Sequence, residues 1–314
     1  MRKRSLDVVY ELAKADERIV FIGSDLGAGT LDAFRRDIPT RFFMEGVSEA
    51  NIVGMAAGMA LEGRVVYVNT IATFLTRRCF EQVVLDLGLH NANVRLIANG
   101  GGVVYAPLGP THLAIDDLAI MRAVPNMTIV APCDAEEMSR LMPQTVEHSG
   151  PIYIRLGKGG DPVVSRSELP FRIGRAIHMT PGSDGADVLL VTTGITLKIA
   201  LEAADELTAN GIASTVLHMH TVKPLDKDAV LTHAAKAHAI VTIEEHTILG
   251  GLGGAVAEVL AEAGFNTPKR FKRIGLPDVF PHGYGSQASM MQQYGITTER
   301  TIATVQELLV AKMT

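Results

Sequence analysis

Short, uninterrupted apolar runs rich in β-branched residues alternate with stretches that carry apolar residues at helical spacing. The runs RIVFIGS (18–24), RVVYVNT (64–70), NVRLIANG (93–100), MTIVAP (127–132) and PIYIRLG (151–157) predict strands, with helices near 4–15, 48–62, 73–90 and 134–147. A strand that is apolar on both faces must be covered on both faces, so the pattern implies a parallel sheet between helical layers. The pattern breaks at 166–185, RSELPFRIGRAIHMTPGSDG, which reads as a linker because it is polar and carries Pro and Gly. It resumes with DVLLVTTG (187–194), ASTVLHMH (213–220), AIVTIEEH (239–246) and FKRIGL (271–276), with helices expected near 195–210, 225–236, 252–263 and 299–312. The expected fold is therefore α/β with two domains, 1–170 and 186–314, each a mostly parallel sheet with helices on both faces.

At 314 residues the chain is long for a single core. Its 47% hydrophobic and 20% charged content fits a soluble globular protein. A net charge of −5 argues against a nucleic-acid or anionic-membrane partner. No apolar run approaches the ~20 residues of a membrane span, and none follows the basic MRKR start as a signal peptide would need. Cys79 and Cys133 form no CxxC, so neither a disulfide framework nor a zinc site is expected. Together these features predict a cytoplasmic protein.

In FFMEGVSEANIVGMAAGMALEG (42–63), Glu49 opens a helix that is otherwise small and apolar. Behind an N-cap at Ser48, an acid in the first turn complements the helix dipole. A second reading starts from Gly54 and Gly58, which with Ala50 and Ala57 make a face that another backbone can approach closely. Glu49 would then sit in a dry interface, where desolvation raises a carboxyl's pKa and suits it to proton transfer. Phe74, at a strand-to-helix junction, is either core or an aromatic surface at the carboxyl end of a sheet, where parallel α/β folds bind ligands. His112 follows Gly109-Pro110-Thr111 on a loop, and is either a hydrogen-bonded structural residue or a functional one. GGLGGAVAEVL (250–260) could cradle a phosphate at a helix N-terminus or form a tight turn. No Walker A, HExxH or GxSxG motif occurs.

Taken in order, GVSEANIVGMAAGMAL, TFLTRRCFEQVV and GPTHLAIDDLAIMRAVPNMTIVAP resemble the pyrimidine-binding domain of thiamine-diphosphate transketolases and of 1-deoxyxylulose-5-phosphate synthase. EEHTILGGLGGAVAEVL (244–260) resembles the C-terminal domain that follows in that family. The resemblance covers nearly the whole chain. It implies that Glu49 hydrogen-bonds N1′ of the cofactor's aminopyrimidine and shares a proton there, which readies the cofactor to lose its C2 proton. It further implies that Phe74 stacks on the pyrimidine, that Ile71 and Arg77 line the same pocket, and that His112 faces the substrate oxygens.

Full-length transketolases grip the diphosphate and Mg²⁺ through a GDG motif that this chain lacks. The chain therefore resembles the C-terminal subunit of a split transketolase. The resemblance implies that an N-terminal partner holds the metal, with no ligand from this chain, in an α2β2 assembly. The β subunit of a 2-oxoacid dehydrogenase E1 component and a non-catalytic subunit on the same scaffold are the alternatives. Several positions depart from the phosphorylated-sugar pattern. Leu108 replaces an Asp, Gly100 a His, Gly29 a Ser and Lys158 an Arg, the last keeping charge but losing the bidentate fork. Arg155 and Arg2 or Arg4 would contribute charge, so an anionic ketose is expected, with altered hydroxyl contacts; the alternative is an ordinary pentose-phosphate enzyme in which the partner chain or Tyr105 replaces those contacts.

Overall fold

The computed structural model describes residues 1–23, 29, 31–44, 46–180 and 187–310. Its strands are β1 (Ile19–Gly23), β2 (Phe42–Met44), β3 (Val65–Ile71), β4 (Val94–Asn99), β5 (Thr128–Val130), β6 (Ile152–Leu156), β7 (Ile177–His178), β8 (Val188–Thr192), β9 (Ser214–His218), β10 (Thr221–Lys223), β11 (Ala239–Thr247) and β12 (Arg270–Leu276). One sheet runs β10-β5-β6-β4-β3-β1-β2 and the other β12-β11-β8-β9-β7. All neighbours are parallel except the edge pairs β10–β5 and β7–β9.

The period-2 geometry of a strand explains why its apolar runs are continuous. Val20, Ile22, Val66, Val68 and Leu96 point to one side of the first sheet, where they pack with Ile52, Val53 and Ala56 of the helix Glu49–Leu61. Ile19, Phe21, Val65, Tyr67 and Ile97 point to the other, against Leu6 and Val9 of the helix Arg2–Ala15 and Met138 and Leu141 of the helix Ala135–Gln144. The second sheet divides in the same way, Leu190, Val216 and Val241 on one side and Leu189, Leu217 and Ile240 on the other.

Three short strands escape the sequence pattern. β2 and β10 have three residues each, and β7 has two, inside the stretch 166–185. β10 lies in the sequence of the second half but joins the sheet of the first, with Thr221 opposite Val130. The helix expected over 73–90 is broken into Ala72–Thr76, a turn, and Phe80–Gln82 continuing as a π-helical segment, Val83–Leu89.

Buried polar contacts join the two halves. His218 donates through Nε2 to Glu137, 3.0 Å away, with neither side chain exposed. Burial pushes the Glu137 carboxyl up, but the electrostatic attraction and hydrogen bond of His218, with a further bond from the Cys133 N–H, outweigh it and hold Glu137 down at about 2.

Candidate cofactor and substrate site

The candidate residues gather at the carboxyl ends of β3, β4 and β6, adjacent strands in the first sheet. Ile71 ends β3, and the helix Ala72–Thr76 starts at the next residue, so Phe74 stands one turn above the sheet edge, half-buried. Glu49 is the first residue of the helix Glu49–Leu61 and is 2% exposed. The Ser48 side chain makes no capping bond to that helix. Glu49 is more than a dipole-complementing acid on the surface, because its carboxylate is buried against the neighbouring 72–79 segment.

Arg78 makes that junction. Its Nη1 lies 3.1 and 3.0 Å from the two Glu49 oxygens, and its guanidinium carbon sits 3.8 Å from the centroid of the Phe74 ring. On the other side of the site, the His112 ring meets Phe74 edge-on, with centroids 5.3 Å apart and planes at 65°. His112 Nδ1 lies 2.9 Å from the Thr111 hydroxyl. Arg77 fastens this loop, since its Nη2 donates to the carbonyls of Thr111 and Leu113 at 3.4 and 3.3 Å. The structure thus brings Glu49, Phe74, Arg77 and His112 together, with Ile71 at the end of β3 where the Phe74 helix begins.

The loop after β4 explains two departures. Gly100 has φ +82°, and a Cβ there would lie 2.0 Å from the ring of Tyr105. The Tyr105 ring fills the space that a side chain at position 100 would enter. Burial raises the Tyr105 phenol, which lies beside Arg2. Leu108 is 51% exposed at the end of the following 3₁₀ turn. Lys158 is exposed two residues beyond β6. Gly29 has φ +85°, which favours glycine; the other residues of 24–30 lie outside the described residues.

Two expectations are corrected. Arg155 does not face this site. Its Nε donates to Asp117 at 2.8 Å and its Nη2 to the carbonyls of Ala114 and Glu245, and the side chain is 6% exposed. Arg4 points away as well, donating to Ser139. Of the two readings of the glycine loop near 250, the tight turn is the one the contacts fit, because the N–H groups of Leu252 and Gly253 donate to the chain's own Glu244 at 2.7 and 2.8 Å. A Cβ on Gly251 would fall 2.1 Å from that carboxylate, so close approach explains the glycine.

Sequence reasoning passed over Arg78. Its signal was its spacing: a residue four beyond Phe74 tends to share its face across a turn.

Residues 1–160 match the family model for the transketolase pyrimidine-binding domain, and residues 179–301 that for the transketolase C-terminal domain. The chain belongs to the transketolase family. It is 35% identical over 309 residues to a 6-deoxy-6-sulfo-D-fructose transketolase subunit, SqwH, of Clostridium sp. (strain MSTE9), covering 98% of this chain and 94% of that one. It is 35% identical over 310 residues to an apulose-4-phosphate transketolase subunit of Phocaeicola vulgatus, covering 98% and 97%. A solved split-gene transketolase, described as an inactive beta4 tetramer, superposes with a TM-score of 0.88 at 36% identity, over 98% of each chain. This chain is the C-terminal subunit of a split transketolase, a thiamine-diphosphate-dependent enzyme of ketol transfer that works with an N-terminal partner subunit. These similarities support neither the 2-oxoacid dehydrogenase reading nor the non-catalytic one. Among the described residues no helix is long and apolar enough to cross a membrane.

Proposed function

We propose that this chain forms the pyrimidine half of a thiamine-diphosphate site and moves a two-carbon ketol unit from a modified, anionic ketose to an aldose. The partner holds the diphosphate and Mg²⁺ through its GDG motif, in an α2β2 assembly. The observation that carries the reading is the pairing of a buried carboxylate, Glu49, with one face of the Phe74 ring. Together they hold a flat, cationic hydrogen-bond donor, here the Arg78 guanidinium. The same pair fits an aminopyrimidine, which is also flat and donates hydrogen bonds in its plane.

When bound, the cofactor supplies a carbon nucleophile that takes up the ketol unit. Glu49 holds a proton at N1′ of the ring, Phe74 orients the ring by stacking, and Ile71 lines the pocket beneath. Arg77 positions the loop that bears His112, whose ring is placed to donate to substrate oxygens. Lys158 meets the anionic end of the substrate, with Arg2 near Tyr105 adding charge. Leu108 and the Gly100–Tyr105 pairing replace polar groups that would contact sugar hydroxyls, so the preferred sugar is branched, deoxy or otherwise modified. The names of two relatives support this, since one is a transketolase of 6-deoxy-6-sulfo-D-fructose and the other of apulose 4-phosphate.

A separate chain on the open side of the site is supported by the helix Glu49–Leu61. A Cβ on Gly58 would meet nothing within 4 Å, and Leu61, Leu85 and Leu89 are 61%, 43% and 72% exposed. The test is purification of this chain alone and co-expressed with a GDG-bearing partner, followed by a screen of ketoses. The expected outcome is transfer only by the complex, with xylulose 5-phosphate and ribose 5-phosphate a poor pair. Equal activity from the isolated chain refutes the split site. A kcat/KM at or above ~10⁴ M⁻¹s⁻¹ for that pentose-phosphate pair refutes the specialised substrate.

A further inference from the structure

Glu49 and Phe74, which the reading above assigns to the cofactor ring, are both engaged by one side chain of the same subunit. We propose that Arg78 occupies the aminopyrimidine's seat in the cofactor-free chain, and that cofactor loading is a competition in which the guanidinium must leave both residues.

The chemistry of the two occupants is alike. A guanidinium is flat, positively charged and edged with N–H donors, so a carboxylate beside an aromatic face receives it as it would a protonated or hydrogen-bonding heterocycle. The geometry makes the two exclusive. With the guanidinium carbon 3.8 Å from the ring centroid, no second ring can stack on that face of Phe74. With Nη1 bridging both Glu49 oxygens at 3.1 and 3.0 Å, the carboxylate is turned toward Arg78.

The arrangement also answers a stability problem. The Glu49 side chain is 1% exposed, and a buried carboxylate without a cationic partner is destabilising. Arg78 provides that partner while keeping 46% of its own side chain exposed, in the turn between the helix Ala72–Thr76 and Phe80–Gln82. It can therefore swing out without dismantling a core. The consequence is thermodynamic: a site filled by its own side chain binds its ligand more weakly, by the fraction of time it is open.

The experiment has two arms, each using Arg78→Ala and Arg78→Lys. In the co-expressed complex stripped of cofactor, calorimetric titration with thiamine diphosphate and Mg²⁺ should give a dissociation constant about tenfold lower for Arg78→Ala than for wild type, with Arg78→Lys between them. In the chain alone, without cofactor, Arg78→Ala should lower the unfolding midpoint. A double-mutant cycle with Glu49→Gln should show that the two residues are coupled, and saturating cofactor in the complex should abolish that coupling. An unchanged or weakened affinity in Arg78→Ala overturns the proposal, as does a cycle with no coupling in the cofactor-free chain. Wild-type and variant complexes that all fail to bind thiamine diphosphate overturn the proposed function as well. A wild type that binds and a variant that binds no better overturns only the competition.

Discussion

Arg155 and Asp117 form an ion pair closed off inside the chain, with Nε 2.8 Å from Oδ2 and the two side chains 6% and 0% exposed. The hydroxyl of Tyr153 donates to the same oxygen at 2.8 Å. A Cβ on Gly101 would lie 2.6 Å from the Arg155 Cγ, so the loop after β4 closes directly over the side chain. Arg155→Met leaves Asp117 buried without its cation and should cost about 3–5 kcal/mol of stability. Urea unfolding of the subunit measures this. If Arg155→Met raises KM for an anionic ketose and leaves stability unchanged, Arg155 faces the substrate after all.

Lys158 should behave in the opposite way. It is exposed beyond β6, and among the described residues its loss exposes no buried partner. A charge-assisted hydrogen bond contributes about 1.5–3 kcal/mol. Lys158→Ala should therefore raise KM for the anionic ketose about tenfold or more with the unfolding midpoint unchanged. An equal effect on a neutral analogue would show that Lys158 does not read the charge.

Glu49→Gln keeps the size and the hydrogen bond but cannot exchange a proton. The assembled variant should slow C2–H exchange on bound thiamine diphosphate by about 10²-fold or more, measured by NMR. A wild-type rate would reduce Glu49 to a helix-terminal acid. Phe74→Ala should weaken cofactor binding through lost stacking, which is worth about 0.5–1.5 kcal/mol beyond the buried area, and leave a smaller mark on exchange in the saturated enzyme.

Four buried groups set opposing pH dependences. Burial raises Glu244 and Glu245 to about 7, so in the folded chain they keep protons that the unfolded chain has released above pH 4.5. Their stabilising effect is fully present below pH 4.5 and is lost as pH rises through about 7. Burial depresses His220 to about 3 and His246 to about 4, so their contribution is present above pH 6.5 and is lost as pH falls. Between pH 4.5 and 6.5 the two pairs pull in opposite directions. Glu245→Gln preserves an acceptor for Val103 N–H and Gln287, which donate to one oxygen at 2.8 Å each. It should gain stability relative to wild type as pH rises from 4.5 to 7, by at most about 1.4 kcal/mol per unit. Parallel stability curves from urea titrations across that range would contradict the assignment.

Most of the architecture was legible because strands buried on both faces declare themselves as apolar runs. The short edge strands were not, since a three-residue strand such as β10 has no period to detect. Glu49, Phe74 and His112 were assigned through resemblance, and their local spacing alone left structural readings open. Arg155 was expected to lend charge at the anion site of Lys158, and nothing local in the sequence points to its partner Asp117, 38 positions away. Arg78 was missed because its neighbour Arg77 drew the assignment, and only the three-dimensional pairing with Glu49 separates the two.

Thr221–Lys223, which closes the edge of the first sheet beside β5, has a consequence for dissecting the protein. A truncation near residue 175 follows the sequence boundary but removes β10, baring the edge of β5 and leaving Glu137 without His218. Exposed edges invite intermolecular strand pairing. The two halves are a single unit of manipulation: fragments made by cutting between them should aggregate, and the intact chain should unfold in one transition.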